Sequence, residues 1–218
     1  MTEHPSPYTT TPKPVDASRC TMNELVLPND TNTFGNLMGG NLLRMMDVCG
    51  AIAAQRHAEQ LCVTASVDNV DFQSPIYRGE VVVLEGQVNR AFRTSMEVEI
   101  NVWAENPRAR TRRVCNRAFF TFVAVDDSGR PIAVPPIAPA TDDERARFDA
   151  AQRRRELRLV MAGRIPIRDA TNLRALVLGA IATESPAPEA AQAPAGDASP
   201  AEAPAPAARA ARRPKGKG

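Results

Sequence analysis

A single carboxylate, Asp47, lies within a run that is spaced to form one apolar helix face. Most residues one turn away from it are small or apolar, and Arg44 is the charged exception. An apolar setting makes a carboxylate a stronger base, so Asp47 could act as a general base or nucleophile toward an electrophilic carbonyl. The alternative is an ion pair with Arg44 on a solvated helix face, and the spacing is compatible with both.

Glycines stand just before this predicted helix, at Gly35, Gly39 and Gly40. Unpaired amides and the positive end of the dipole at a helix N-terminus favour an oxygen that carries negative charge. The spacing matches neither a P-loop nor a dinucleotide fingerprint, so a simple turn is the alternative. Asn36, among these glycines, could orient water or a carbonyl, or could only form the turn.

Arginines in two predicted turns could contact phosphate groups, and simple solvation is the alternative. The first turn contains Arg93, Thr94 and Ser95, and the second contains Arg108, Arg110, Arg112 and Arg113. His57 lies on a different side of the helix from Asp47. We interpret His57 as a helix-end histidine that complements the dipole.

The elements that must position these residues follow from apolar periodicity. A helix is predicted at about residues 40–59, preceded by one strand and followed by four, at 20–27, 63–72, 80–88, 96–102 and 113–125. Short connections join antiparallel neighbours. We therefore predict an α+β fold in which one curved, antiparallel, five-stranded sheet has the long helix packed on its concave face. Its open edge favours dimerisation by strand pairing.

The two ends of the chain differ from this middle part in composition. Residues 1–18 are rich in Pro and Thr and are predicted to form a flexible arm, followed by one folded domain at 19–140. A helical extension is predicted at 141–182, with a highly charged helix at Asp142–Met161 that we interpret as a decoration on the domain. Residues 183–218 are rich in Ala and Pro and are predicted to be disordered.

Charge and cysteine content narrow the function classes. A formal net charge of +2 is too small to indicate nucleic-acid binding. The four cysteines are widely spaced without a CxxC pair, as expected for buried thiols in a reducing compartment. No run has the length of a signal peptide core or a membrane span, so we expect a cytoplasmic protein.

Four motifs, in order, carry a family resemblance: NTFGNLMGGNLLRMMDVCGAIAAQRH, VTASVDNVDFQSPIYRGE, RTSMEVEINVWAEN and FFTFVAVDDSGRPIAVP. Together they cover about residues 20–139 and resemble the hotdog-fold acyl-CoA thioesterases of the cytosolic acyl-CoA hydrolase type. The resemblance implies hydrolysis of acyl-CoA to a free fatty acid and coenzyme A, without a metal or redox cofactor. It also implies active sites between two hotdog units, in homodimers that commonly assemble into hexamers as trimers of dimers.

The resemblance also implies residue roles. It assigns the catalytic carboxylate to Asp47 and the catalytic asparagine to Asn36, with the two contributed by opposite subunits. The amides at Gly39 and Gly40 would polarise the thioester carbonyl. We assign substrate binding to a further set made up of Thr64 and the segment near the coenzyme A site, Arg93, Thr94 and Ser95. Two positions depart from the family pattern: Met38 replaces a Phe or His, and Phe92 replaces a glycine.

Two alternative functions come from other classes. Hydratases of the same fold act on acyl thioesters with a His and a carboxylate, and the histidines of this chain are His4 and His57. A non-catalytic acyl-CoA-binding or regulatory protein would bind ligand and release no thiol. His4 lies in the predicted arm and His57 at the wrong end of the helix, which disfavours a hydratase. The presence of both Asp47 and Asn36 ranks the non-catalytic alternative below hydrolysis.

Overall fold

The computed structural model describes residues 11–72 and 74–183. A long helix, α1 (Gly39–Ala58), packs against a five-stranded antiparallel sheet. The strands in chain order are β2 (Cys20–Leu25), β3 (Leu61–Val67), β4 (Val81–Ala91), β5 (Ser95–Asn106) and β6 (Thr111–Val125), following a short β1 (Lys13–Pro14). In the sheet the order is β2-β4-β5-β6-β3. The predicted α+β architecture is confirmed.

One face of the sheet is apolar and covers α1. Met46 and Ala53 of the helix are fully buried against this face, together with Ile100 and Phe122 of the strands. Gly50 allows the closest approach, since a Cβ atom there would lie 2.8 Å from the ring of Phe122. The core of the domain therefore lies between α1 and this face.

The opposite face of the sheet carries carboxylates and is covered by α2 (Asp142–Met161). This helix begins with a capping box, in which the Glu144 amide donates to Thr141 Oγ1 at 3.2 Å. Arg154 Nη2 forms an ion pair at 2.6 Å with Glu97, which is fully buried on β5. The helix is therefore bound to the sheet by ion pairs with a buried carboxylate.

The predicted arm and the C-terminal extension both contain ordered structure. β1 pairs in parallel with β7 (Ile137–Ala138), and a 3₁₀ turn follows at Val15–Ser18. Residues 1–10 lie outside the described part of the chain, as does the predicted disordered tail from residue 184 onward. A third helix, α3 (Thr171–Thr183), lies against α2, where Glu156 accepts a hydrogen bond from the Leu173 amide at 2.8 Å.

β3 lies at the edge of the sheet and pairs only with β6 among the described residues. Its apolar side chains are unusually open for a strand: Leu61 is 58%, Val63 49% and Val67 42% exposed. Open strand edges of this kind are typical places for pairing with a further strand. Among the helices that the structure describes, none combines the length and apolar character needed to cross a membrane.

Candidate active site

Asp47 and Thr64 meet where α1 crosses the edge strand. The Thr64 hydroxyl donates to Asp47 Oδ1 at 2.5 Å. A register shift in the pairing of β3 with β6 falls between Thr64 and Ser66, so the strand is bulged at this point. No ion pair joins Asp47 to Arg44 within the described residues, and the carboxylate instead has a neutral hydroxyl partner.

A cleft of about 570 Å³ opens beside Asp47. Its apolar lining consists of Leu43, Val67, Val70, Phe72 and Phe120, and its polar groups belong to Arg44, Asp47, Asp68 and Asn69. An apolar cleft with a few convergent polar groups is the usual form of a small-molecule site. It could hold a hydrophobic chain with a reactive group placed at the carboxylate.

The N-terminus of α1 presents free amides near this cleft. Within the described residues, the amides of Gly39, Gly40 and Asn41 donate no hydrogen bond, and Leu42 is the first to bond, to the Met38 carbonyl at 3.1 Å. The Phe72 ring lies 3.2 Å from the position of a Cβ atom at Gly39. Because Phe72 also lines the cleft, these amides and the cleft are neighbours, as an oxyanion site requires.

Asn36 lies in the loop before α1, outside the lining of the cleft of its own chain. Its side-chain Oδ1 is buried and has no hydrogen-bond partner in the described part of the chain. Asn32 shapes this loop, since its Oδ1 accepts from the amides of Phe34 at 2.9 Å and Asn36 at 3.2 Å. The structure therefore does not bring Asn36 and Asp47 together within one chain.

The predicted coenzyme A segment forms the hairpin turn between β4 and β5. The Thr94 carbonyl accepts from the Ala124 amide at 3.1 Å, and Ser95 Oγ accepts from Arg155 at 3.4 Å. The Arg93 side chain is exposed. This turn lies outside the cleft lining. Of the predicted binding residues, Thr64 contacts Asp47, and Gly39 lies against Phe72 in the wall of the cleft.

His57 is fully buried, and its Nε2 donates to the Pro135 carbonyl at 2.8 Å. Burial lowers the pKa of His57 below its usual value, despite this hydrogen bond. Burial thus disfavours the charged form of His57 and works against the predicted role of this residue in complementing the helix dipole. His57 also lies outside the cleft lining, and His4 lies outside the described residues.

Sequence reasoning missed Asp68, which lies just after β3 and lines the cleft with Asp47. Burial raises the pKa of Asp68, and an ion pair with Arg158 of α2 at 2.7 Å opposes this rise. The local signal was a carboxylate directly after a strand, in VTASVDNVDF. Its partner is distant in sequence, and no local pattern links the two.

Comparisons with known proteins agree with this geometry. A family model described as the thioesterase superfamily matches residues 34–110. The chain is 40% identical to YkhA of Bacillus subtilis, an uncharacterized acyl-CoA thioester hydrolase, over 55% of this chain and 69% of that protein. It is 35% identical to the cytosolic acyl coenzyme A thioester hydrolase of Rattus norvegicus, over 66% of this chain but only 38% of the relative.

Solved structures show the same relationship. A hexameric acyl-CoA thioesterase aligns with a TM-score of 0.68 and 41% identity, covering 70% of this chain and 97% of that one. An acyl-CoA hydrolase from Staphylococcus aureus, solved with butyryl coenzyme A and coenzyme A, aligns with a TM-score of 0.65 and 33% identity, covering 76% of this chain and 98% of that one. Three alanine variants of it, at an aspartate, a threonine and an asparagine, also align.

The fold and the cleft define a hotdog-fold hydrolase, and the chain belongs to the thioesterase superfamily, among its acyl-CoA thioesterases. The family resemblance of the four sequence motifs is thereby confirmed.

Proposed function

We propose that this enzyme hydrolyses acyl-CoA thioesters to a carboxylic acid and coenzyme A, with Asp47 as general base or nucleophile. The observation that carries the proposal is the Asp47–Thr64 hydrogen bond at an apolar cleft, whose wall residue Phe72 lies against the N-terminus of α1 with its unpaired amides. The apolar lining suits an acyl chain. The amides suit the oxygen of the thioester carbonyl.

In the proposed reaction the carbonyl oxygen binds the amides of Gly39 and Gly40 of one chain, and the base is Asp47 of the second chain of the dimer. About 10–12 Å of helix separates these amides from Asp47 of their own chain. Asp47 removes a proton from water as the water attacks the carbonyl carbon, and negative charge develops on the bound oxygen. Collapse of the tetrahedral intermediate breaks the carbon–sulfur bond, and the thiolate of coenzyme A leaves and takes up a proton. One preorganised amide donor contributes roughly 3 kcal/mol of barrier lowering.

Thr64 holds the carboxylate of Asp47 in place by its short hydrogen bond. The substituted asparagine, aspartate and threonine of the Staphylococcus aureus hydrolase have the same order and spacing as Asn32, Asp47 and Thr64. This spacing supports the roles of Asp47 and Thr64. It also makes Asn32 a second candidate for the asparagine that we assign to Asn36, in the same loop.

We further propose that the active unit is a homodimer, assembled into a hexamer. The buried, unpaired Oδ1 of Asn36 and the open apolar edge of β3 are features that a second copy would complete. Hexameric thioesterases among the structural relatives support this assembly. The cytosolic hydrolases among the relatives support a cytoplasmic location.

The direct test is the release of free thiol from a panel of acyl-CoAs. We expect wild type to be active and Asp47→Asn to lose about 100-fold or more in kcat, since the amide cannot accept the proton. The exposed Asp127, in the turn after β6, offers a matched control, and Asp127→Asn should keep wild-type turnover. Unchanged turnover of Asp47→Asn would remove its proposed role.

The same assay distinguishes the two asparagines. Asn36→Ala should lose turnover, whereas Asn32→Asp should stay active because it keeps the oxygen that accepts the loop amides. An active Asn36→Ala together with an inactive Asn32→Asp would move the role to Asn32. A wild type that binds acyl-CoA tightly but releases no thiol would identify the non-catalytic alternative.

A further inference from the structure

A line of ion pairs runs from the middle of α2 to the cleft. Arg158 donates through Nη1 to Asp68 Oδ2 at 2.7 Å and through Nη2 to Glu97 Oε2 at 3.1 Å. Arg154 binds the same Glu97 through Nε and Nη2. Arg158 therefore connects a cleft residue to the fully buried carboxylate of β5.

Asp68 is held at its backbone as well as at its side chain. Its amide donates to the Phe119 carbonyl of β6 at 3.0 Å. The side chains of Asp68 and Arg158 are only 21% and 23% exposed, so solvent screens their ion pair less than it screens a surface pair. Asp68, the first residue after the edge strand, is thus fixed both through its backbone amide and through its side chain.

The segment that begins at Asp68 forms one wall of the cleft. Asn69, Val70 and Phe72 follow Asp68 in the lining. At the far end of this wall, the Phe72 ring covers Gly39 at the N-terminus of α1. The position of Asp68 therefore bears on the width of the cleft where the proposed carbonyl site lies.

We propose that Arg158 is a positioning residue for the acyl-CoA site, which it serves by fixing Asp68 and the wall 68–72. The inference rests on the proposed function. It extends the site to a helix outside residues 34–110, the part matched by the family model. Arg158 touches no reacting atom in this proposal, and it acts only through Asp68.

A purely structural role, holding α2 on the sheet, is the competing explanation. Arg147 offers a matched control on the same helix. It pairs with Asp143 at 2.8 Å and with the buried Glu99 of β5 at 3.6 Å, and neither partner lines the cleft. Removing Arg147 therefore weakens the attachment of α2 without touching Asp68.

The test compares Arg158→Met, Arg158→Lys and Arg147→Met in steady-state kinetics with an acyl-CoA. We expect Arg158→Met to raise KM about tenfold and to change kcat less than about twofold, as for lost substrate positioning rather than lost chemistry. Arg158→Lys should recover part of this change, and Arg147→Met should match wild type. In an Asp68→Asn background, Arg158→Met should change KM little further, because the charge through which Arg158 acts on the wall is already gone.

Hydrogen exchange of the segment 68–72 gives a readout that does not depend on activity. The segment should exchange faster in Arg158→Met than in wild type or Arg147→Met. Unchanged exchange there, or a KM equal to that of Arg147→Met, would overturn the inference. A wild type without thiol release would instead count against the proposed function, while exchange still tests the position of the wall. If Arg158→Met fails to fold, Arg158→Lys replaces it in both the kinetic and the hydrogen-exchange comparison with Arg147→Met.

Discussion

The two faces of the sheet are built from the same strands and bind their helices by different means. Along β5, Met96, Val98 and Ile100 lie in the core that packs on α1. The alternating residues Glu97 and Glu99 lie on the other face and pair with arginines, those of α2 among them. Side-chain alternation in a strand thus separates an apolar interface from an ionic one.

The difference shows what each interface specifies. Apolar burial is non-directional, so it does not by itself fix the register of a helix on the sheet. An arginine and a buried carboxylate have fixed geometry, and a shifted helix would leave a buried charge unpaired. We therefore expect the α1 face to supply most of the stability and the α2 face to fix the register that brings Arg158 to Asp68.

The largest change in stability is expected when an ion pair between α2 and the sheet is broken. Arg154→Met leaves the buried Glu97 with only part of its hydrogen bonds and should lower the free energy of unfolding by about 3 kcal/mol. The double variant Arg154→Met/Glu97→Met should recover most of that loss, because no buried carboxylate remains there. Urea unfolding measures both. A double variant as unstable as the single one would show that this pair stabilises the fold directly.

A smaller change in stability is expected on the apolar face, where it depends on how closely α1 packs on the sheet. Gly50→Ala gains helix propensity but places a methyl group against Phe122 and Ile100, so we expect a net loss of about 1–2 kcal/mol. Gly40→Ala, in the same helix, has no atom within 4 Å of the new methyl group and should not destabilise the protein. Thermal unfolding compares the two. Equal stabilities would mean that α1 can shift on its sheet.

The smallest effect concerns His57, at the end of α1. Its pKa is lowered in the folded chain, mainly by burial and also by the nearby Lys13 charge. Below about pH 6.5 the unfolded chain binds a proton that folded His57 does not, so stability is lost as the pH falls. His57→Gln should lose less stability than wild type between about pH 7 and 5. The free energy of unfolding of both proteins can be measured with urea across this pH range. An equal loss in the two proteins would contradict the prediction.

Local patterns predicted the elements well because each is encoded by neighbouring residues. α2 has the predicted bounds, which Thr141 and Glu144 define by capping. β3 ends at Val67 rather than at residue 72, because the chain turns at Asp68 to form the cleft wall. Lys13 was predicted to lie in a flexible arm, and its order comes from distant partners, β7 and Glu59.

The site was predictable only in part, for a related reason. Asp47 and the glycines share one stretch, and their chemistry could be recognised from residue types and from the family resemblance. The contact of Asp47 with Thr64 could be placed only through the pairing of α1 with the edge strand. Asp68 was missed because its cation belongs to α2, and which face α2 covers is decided by tertiary packing.

The contact between Asp68 and Arg158 joins residues 90 positions apart, and this separation has a consequence for the order of folding. Ribosomes release a chain from its N-terminus, so the edge strand emerges well before the guanidinium that secures the residue after it. Closing so long a loop is entropically costly and comes late. We therefore expect the sheet and α1 to assemble first in a nascent chain, and the cleft to gain its final shape when α2 docks.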